Sequence, residues 1–317
     1  MLIHILLLLG GCVLLYTGAT WLVRGASELA TALNIPKAIV GLLLVAFGTS
    51  APELIVNLIA AYDGETSFAL ANVSGSNLTN LLVGFGLCGV LVGLAISWRT
   101  FVLDLWALVL SATIPMVILL WQGHMSIWAV APFMVGVLGY IWTLRRRFQE
   151  HVPAEIERDH LHPLLSSLLF LLGAAVLYGG GHLVLTGAIA IAENLKIEAS
   201  LVGLTLVAAG TSIPDAVASI VAARRGEHDI AVGNLLGSNI ANILVVLSGT
   251  LLAAWFGADT IRLEADAWTK WDYTAVLAAS VGFFGVAARW GRIGRAGGIL
   301  MIACFCLYMG LRVYWSL

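Results

Sequence analysis

Ten apolar runs, each about as long as a bilayer crossing, follow one another along the chain with short polar connections. A helix needs about 20 apolar residues to cross the hydrocarbon core of a membrane. Only 11% of the 317 residues are charged, whereas soluble domains carry about 25%, so lipid must be the main solvent. The runs cover approximately residues 3–24, 36–62, 68–96, 101–121, 126–144, 163–187, 198–223, 230–256, 272–289 and 294–315. We therefore predict an all-α polytopic membrane protein with ten transmembrane helices.

The longest polar stretch, Arg145–His162, separates two halves of five apolar runs each. We predict a first five-helix repeat over residues 1–144, a cytoplasmic linker over 145–162, and a second five-helix repeat over 163–317. The net charge of −2 and the lack of a basic stripe give no indication of a nucleic-acid partner.

The distribution of lysine and arginine predicts the orientation of the helices, because cytoplasmic loops carry an excess of both. With the N-terminus outside, twelve of these residues fall on the cytoplasmic side and four fall outside. The twelve are Arg24, Lys37, Arg99, Arg145, Arg146, Arg147, Arg158, Arg224, Arg225, Arg289, Arg292 and Arg295, and the four are Lys196, Arg262, Lys270 and Arg312. Both termini and the loop near Gly123–Met125 are therefore expected outside.

An internal repeat is the strongest local signal, since residues 41–83 align without a gap with residues 203–245 at an offset of 162. The matched pairs are Gly48/Gly210, Thr49/Thr211, Ser50/Ser212, Pro52/Pro214, Glu53/Asp215, Gly64/Gly226, Asn72/Asn234, Gly75/Gly237, Ser76/Ser238, Asn77/Asn239 and Asn80/Asn242. Apolar composition alone does not produce such polar, glycine and proline matches. Because each half has an odd number of helices, the second copy runs in the opposite direction, and inverted repeats place substrate sites near the midplane.

Both copies carry the motif Gly-Thr-Ser-x-Pro-acid in the middle of an apolar run. Proline removes a backbone donor and clashes with the preceding turn, so the helix should break or kink there. This would free carbonyls near Ala46, Phe47, Thr49, Ala208, Ala209 and Thr211. Irregular backbone survives at membrane depth only when it is buried in protein or lines a cavity.

The spacing of polar residues around these breaks suits a cation site. The pairs Thr49/Glu53 and Ser76/Asn80 are four residues apart and can share a helix face, and Ser50 is three residues from Glu53. The same holds in the second copy for Thr211, Ser212, Asp215, Ser238 and Asn242. An all-oxygen ligand set suits Ca²⁺ and disfavours Zn²⁺ or Cu²⁺.

Some of these features have a purely structural alternative. Glycine pairs such as Gly89/Gly93 are expected only to pack helices, and His182 is expected to be a hydrogen-bonded packing residue. A carboxylate at a helix centre is harder to explain by packing, because its burial costs about 2.5–3.5 kcal/mol. Glu53 and Asp215 are the acids placed deepest in otherwise apolar runs, at equivalent repeat positions.

The stretches GTSAPE with GSNLTN and GTSIPD with GSNIAN resemble the α1 and α2 repeats of the cation/calcium exchanger superfamily, specifically the sodium/calcium exchangers. The resemblance covers about a quarter of the chain through these motifs, and the plan of ten helices extends it further. It implies a secondary antiporter that exchanges Na⁺ for Ca²⁺ by alternating access, in which the first and sixth helices slide across the core. The ions are substrates, and neither a resident cofactor nor an enzymatic activity is expected.

The resemblance also implies roles for individual residues. Glu53 and Asp215 would be the central Ca²⁺ carboxylates, helped by Thr49 and Thr211. Flanking Na⁺ sites would be formed by Ser50, Ser76, Asn80, Ser212, Ser238 and Asn242 with the carbonyls of Ala46 and Ala208. All twelve residues are therefore candidate metal ligands.

Two departures from other family members refine this expectation. Asp215 stands where many prokaryotic members have Glu, and Asn242 stands where potassium-dependent exchangers have Asp. The combination resembles the potassium-independent exchangers, and the short linker resembles compact prokaryotic forms of an inner membrane. A H⁺/Ca²⁺ or broader divalent-cation antiporter remains an alternative, although the Gly-Asn-x-x-Glu motif typical of that branch is missing. An intramembrane enzyme using Glu53 and Asp215 is a remote third hypothesis.

Overall fold

The computed structural model describes residues 2–149, 163–194, 208–257, 262–264 and 268–316, and these are almost entirely helical. The α-helices are α1 Leu2–Ala32, α2 Lys37–Val40, α3 Ala46–Tyr62, α4 Thr66–Leu78, α5 Phe85–Leu91, α6 Trp98–Gln122, α7 Val130–Gln149, α8 Pro163–Asn194, α9 Ala208–Thr211, α10 Ile213–Arg224, α11 His228–Ala241, α12 Leu247–Gly257, α13 Thr269–Trp290 and α14 Arg295–Ser316. Three π-helical segments, Gly41–Val45, Thr79–Gly84 and Asn242–Val246, and one 3₁₀ turn, Ile127–Ala129, lie between them. The strands are β1 Leu94–Ala95, β2 His124–Ser126, β3 Arg262–Glu264 and β4 Arg292–Ile293.

Eight helices in the described part of the chain are long and apolar enough to cross a membrane. A ninth span is the bent pair Lys37–Ala51 and Glu53–Tyr62. Helices α9 and α10 coincide with the predicted seventh span, whose residues 198–207 lie outside the described residues. The chain is thus a multi-pass α-helical membrane protein, and its helices agree with the predicted plan of two five-helix repeats. We call the side of the membrane that carries the N-terminus the N-terminal face and the opposite side the linker face.

The first and sixth spans, α1 and α8, touch backbone to backbone along glycines. A Cβ atom added to Gly18 would lie 2.3 Å from the Leu177 backbone nitrogen, and one added to Gly173 would lie 2.3 Å from the Leu22 nitrogen. Both distances are far inside van der Waals contact, so only a residue without a side chain permits this approach. Three further glycines make contacts of the same kind: Gly11, Gly25 and Gly180.

A buried ion pair joins the fourth and fifth spans. Asp104 of α6 is fully buried and accepts hydrogen bonds from Arg147 Nη1 at 2.7 Å and from the Tyr140 hydroxyl at 2.9 Å. Arg147 also donates to the Thr100 carbonyl at 2.6 Å. Removing one member of such a pair typically costs about 3–5 kcal/mol, because the remaining charge is left unpaired in the interior.

The ninth and tenth spans carry an equivalent cluster. Asp272 of α13 accepts two hydrogen bonds from Arg312 of α14, each 2.9 Å long, and a third from the Tyr308 hydroxyl. Asp272 and Tyr308 follow Asp104 and Tyr140 at an offset of 168 in both cases. The inverted repeat therefore extends beyond the aligned motifs to the last two helices of each half, which the sequence analysis did not find.

Two short antiparallel ribbons connect loops of the two halves. In one ribbon β1 pairs with β4, with Leu94 opposite Ile293, and in the other β2 pairs with β3, with His124 opposite Glu264. In the ten-span plan, six spans separate β1 from β4 and four separate β2 from β3. Because both numbers are even, the two strands of each pair lie at the same membrane face and can pair. This agreement supports the presence of the seventh span.

Candidate functional site

Both repeated motifs break their helix at the predicted position. In the first copy, the parts on either side of Pro52 are bent by 49°. In the second copy, α9 ends at Thr211, Ser212 adopts φ −88° and ψ −2°, and α10 begins at Ile213. Asp215 therefore lies in the first turn of α10, where exposed backbone N–H groups favour negative charge, and Glu53 follows directly after the bend within α3.

Asp215 is fully buried and receives hydrogen bonds from both halves of the chain. Asn80 Nδ2 of the first repeat donates to its Oδ2 at 2.6 Å, and Ser238 Oγ of the second repeat donates to its Oδ1 at 3.1 Å. Thr49 and Ser50 lie near the same carboxylate. The structure thus brings four of the other predicted ligands together around Asp215.

Glu53 is equally buried, at 1% exposure, but neither of its carboxylate oxygens has a hydrogen-bond partner among the described residues. It lies close enough to Asp215 for the two carboxylates to repel each other when both are ionised. Ser50 Oγ, Ser212 Oγ and both amide atoms of Asn242 are also buried without partners in this part of the chain. Unpaired buried oxygens are costly, and a bound cation would satisfy them.

Two more predicted ligands form a contact between the repeats, since Ser76 Oγ lies 3.4 Å from Thr211 Oγ1. Ala46 begins α3 directly after a π-helical segment, and its carbonyl oxygen lies 3.2 Å from Thr49 Oγ1. Ala208 begins α9, but its side chain lies outside what the structure describes. Among the described residues there is no cluster of three His, Cys, Asp or Glu side chains suited to a metal, so any ligand set here must combine two carboxylates with neutral oxygens.

Asn234 belongs to the site although the sequence analysis assigned it no role. Its Nδ2 donates to the Asp215 carbonyl oxygen at 3.0 Å and to Ser219 Oγ at 2.9 Å, while its Oδ1 accepts from Thr49 Oγ1 at 3.0 Å. It was visible as one of the matched polar pairs of the repeat, with Asn72. The π-helical segments that begin at or next to Asn80 and Asn242 were also missed, and such segments are frequent at functional sites.

The protein is tightly packed between the site and the linker face. A Cβ atom on Gly237 of α11 would lie 2.4 Å from the Leu42 carbonyl oxygen. At the linker face itself, Glu227 accepts hydrogen bonds from Lys37 Nζ at 2.7 Å and from Ser27 Oγ at 2.8 Å. These contacts join the first, second and eighth spans at the linker face.

Burial differs between equivalent positions on the two sides of the site. Gly233 and Gly237 are buried, whereas Ala71 and Gly75, their counterparts at the 162-residue offset, are half-buried. A cavity of about 80 Å³ adjoins the site on the side of the N-terminal face, lined by Val56, Tyr178, Gly181, His182, Leu185, Gly210, Thr211 and Pro214. His182 is exposed at this cavity, so the expectation that it is a packed residue was wrong.

Known proteins resemble this chain over most of its length. The family model described as sodium/calcium exchanger protein matches residues 3–144 and 165–314.

Individual relatives agree with this family. A putative antiporter, CaxA of Alkalimonas amylolytica, is 33% identical over 98% of this chain and 99% of its own length. The sodium/calcium exchanger MaX1 of Methanosarcina acetivorans is 27% identical over 77% of this chain and 81% of its own length. A solved structure of the sodium-calcium exchanger NCX_Mj, soaked with Na⁺ and Sr²⁺, is 26% identical, covers 98% of both chains and superposes with a TM-score of 0.82.

Proposed function

Because the chain belongs to the sodium/calcium exchanger protein family, and is therefore an integral membrane antiporter, we propose that it exchanges Na⁺ for Ca²⁺ at one midplane site by alternating access. The observation that carries this proposal is the pair of buried carboxylates contributed by opposite repeats, Glu53 directly after the bend of α3 and Asp215 in the first turn of α10. Two carboxylates surrounded by neutral oxygens match the hard-cation chemistry of Ca²⁺.

The proposed ligands are those that the repeat motifs and the family resemblance indicate. Glu53 and Asp215 bind Ca²⁺ together with Thr49 and Thr211. Na⁺ is bound around them by Ser50, Ser76, Asn80, Ser212, Ser238, Asn242 and the carbonyls of Ala46 and Ala208. The contacts of Asp215 with Asn80 and Ser238 support a shared site, because one carboxylate is then held by ligands from both repeats.

Charge counting at the site predicts that the exchange moves net charge and does not require K⁺. Of the four central residues Glu53, Asp215, Asn80 and Asn242, only the first two can be anionic. Ca²⁺ is then neutralised, whereas three Na⁺, the number per Ca²⁺ that the family resemblance implies, leave about one net positive charge. Since Asn242 is not a third carboxylate, no extra anion is present to hold K⁺ beside Ca²⁺.

The test is uptake of ⁴⁵Ca into sodium-loaded proteoliposomes. We expect uptake without K⁺, and we expect an interior-positive potential to favour it, because three Na⁺ leave for each Ca²⁺ that enters. One elementary charge is worth about 2.3 kcal/mol per 100 mV, which corresponds to roughly a fiftyfold change in the calcium gradient at equilibrium. The potential is clamped with an ionophore that does not carry K⁺. An absolute K⁺ requirement would overturn the Asn242 argument, and indifference to potential would overturn the charge count.

The same vesicles separate the alternative of H⁺/Ca²⁺ exchange from the proposed function. Protons also compete for carboxylates such as Glu53 and Asp215, so the coupling ion needs its own measurement. We expect an outward Na⁺ gradient to drive calcium uptake at equal pH on both sides. Uptake driven equally well by an acidic interior without Na⁺ would favour the proton-coupled alternative.

We also propose the predicted topology, with residues 1–144 and 163–317 as the two repeats, 145–162 as a cytoplasmic linker, and both termini outside a prokaryotic inner membrane. Arg147 and Arg312 are each held in a buried ion pair, so neither is counted as a loop charge. This removes one residue from each side of the lysine and arginine count. The remaining split is eleven inside against three outside, which still supports this orientation.

Cysteine labelling of intact cells tests the orientation. In a variant without native cysteines, Gln149→Cys at the end of α7 should resist a membrane-impermeant thiol reagent until the cells are permeabilised. Gln122→Cys is the matched control, since Gln122 is exposed at the end of α6 on the opposite face, and it should react in intact cells. The reverse pattern would show that the protein is inserted the other way.

A further inference from the structure

Two asparagines at equivalent repeat positions have different environments. Asn234 is fully buried and all its polar groups are used, because it binds the Asp215 carbonyl, Ser219 and Thr49. It thereby ties the backbone of one site carboxylate to a hydroxyl of the opposite repeat. Thr49 is contributed by α3, and the other two partners by α10.

Asn72 is 3% exposed, yet neither of its amide atoms has a hydrogen-bond partner among the described residues. At the 162-residue offset, the counterparts of Asn234's three partners are the Glu53 carbonyl, Asn57 and Thr211. In the structure Asn57 Nδ2 itself donates to the Glu53 carbonyl at 2.9 Å. The donors and acceptors of a second network are therefore all present at the equivalent positions, but they are not assembled around Asn72.

This difference between the asparagines follows the difference between the two membrane faces. The assembled Asn234 network lies on the tightly packed side of the site, toward the linker face, where Gly237 contacts the backbone of Leu42. The unassembled Asn72 environment lies on the other side, where Gly75 is half-buried and the cavity adjoins the site. In an inverted repeat, the opposite conformation is reached when the two halves exchange their arrangements.

We propose that Asn234 and Asn72 are a pair of positioning residues that alternate during transport. Asn234 stabilises the conformation closed at the linker face by holding Asp215 to Thr49. Asn72 forms the corresponding network with Thr211, Asn57 and the Glu53 carbonyl when the protein closes at the N-terminal face. This inference rests on the proposed alternating access, and it assigns the two closures to two specific side chains.

The physical reason is differential stability of the two states. A buried amide that is unpaired in one conformation and fully paired in the other favours the second conformation. An interaction made in only one state shifts the equilibrium by its own strength. Asn234 favours the conformation closed at the linker face, and Asn72 favours the one closed at the N-terminal face. Neither side chain acts on the ions directly.

The test compares Asn234→Ala with Asn72→Ala in a pair of reporter backgrounds. The reporters are His182→Cys, which lines the cavity toward the N-terminal face, and Thr20→Cys, its counterpart at the 162-residue offset on α1. Each is placed in full-length protein without native cysteines, purified in detergent with saturating Na⁺, so that a charged thiol reagent reaches both faces. The measured quantity is the ratio of the labelling rates at the two reporters.

We expect Asn234→Ala to increase labelling at Thr20→Cys relative to His182→Cys about tenfold. We expect Asn72→Ala to change the ratio in the opposite direction. Loss of one polar network is comparable to a tenfold change in the two populations. If the two asparagines only stabilised the fold, both substitutions would shift the labelling ratio in the same direction. Shifts of the same sign, or no shift in either variant, would overturn the proposal. If an alanine variant does not fold, the Asn234→Ser and Asn72→Ser pair replaces it. Sodium-driven calcium uptake by the unsubstituted protein, measured in parallel, tests the proposed function separately.

Discussion

Replacing Glu53 with glutamine is expected to abolish calcium transport while the protein stays folded. The substitution removes one of the two charges available to balance Ca²⁺. Loss of a direct charge interaction inside the membrane exceeds about 3 kcal/mol, so uptake should fall at least about a hundredfold. Folding should be unaffected, because the Glu53 oxygens make no hydrogen bond within the described part of the chain and a neutral amide is easier to bury than a carboxylate.

The measurement pairs sodium-driven ⁴⁵Ca uptake with thermal unfolding in detergent. Glu65→Gln is the matched control, because Glu65 is exposed in the loop before α4 and the same charge is removed there. It should leave uptake within about twofold of the unsubstituted protein. Full uptake by a well-folded Glu53→Gln variant would refute the assignment of this site.

Asp215→Asn should also abolish transport, but its stability should differ from that of Glu53→Gln. Asp215 accepts hydrogen bonds from Asn80 and Ser238, and an amide can accept on only one of its two polar atoms. We expect its free energy of unfolding to fall by about 1 kcal/mol. Equal stability of the two variants would show that the contacts of Asp215 contribute nothing to folding.

Replacing Gly18 with alanine is expected to destabilise the protein at the contact between α1 and α8. The added Cβ would lie 2.3 Å from the Leu177 backbone, and backbone atoms cannot rotate away as a side chain can. Forcing extra atoms into such a contact typically costs about 1–3 kcal/mol, and here it would push α1 away from α8.

The matched control is Gly10→Ala on the same helix, where no atom lies within 4 Å of the added Cβ. Both variants receive the same methyl group, so their difference isolates the helix contact. Thermal unfolding in detergent should show a clearly lower midpoint for Gly18→Ala and an unchanged or higher midpoint for Gly10→Ala. Indistinguishable midpoints would mean that α1 and α8 are less closely packed than described.

The spans, the helix breaks and most of the site were predictable because their causes are local. Apolar length sets the position of a span, and Pro52 and Pro214 act on their own helices. The gapless repeat also placed Glu53 and Asp215 at equivalent positions.

The ion-pair clusters and the role of Asn234 were not predicted, because their partners are distant in sequence. Asp104 and Arg147 are 43 residues apart, and Thr49 and Asn234 are 185 apart. Nothing near Asp104 distinguishes a paired acid from one close to a water-facing helix end. The 168-residue offset to Asp272 was an available signal, but it differs from the 162-residue offset of the motifs and escaped the gapless alignment.

The two ribbons limit how the halves can move. Each ribbon takes one strand from each half, β1 with β4 and β2 with β3, and the two lie at opposite faces of the membrane. A rocking motion of one half against the other would have to pull apart strands at both surfaces at once. The loop after α1, residues 33–36, carries no strand, and the segments on either side of α8 lie outside the described residues. The ribbons therefore tie the two halves together at both membrane surfaces, so a change between conformations has to take place without separating the halves.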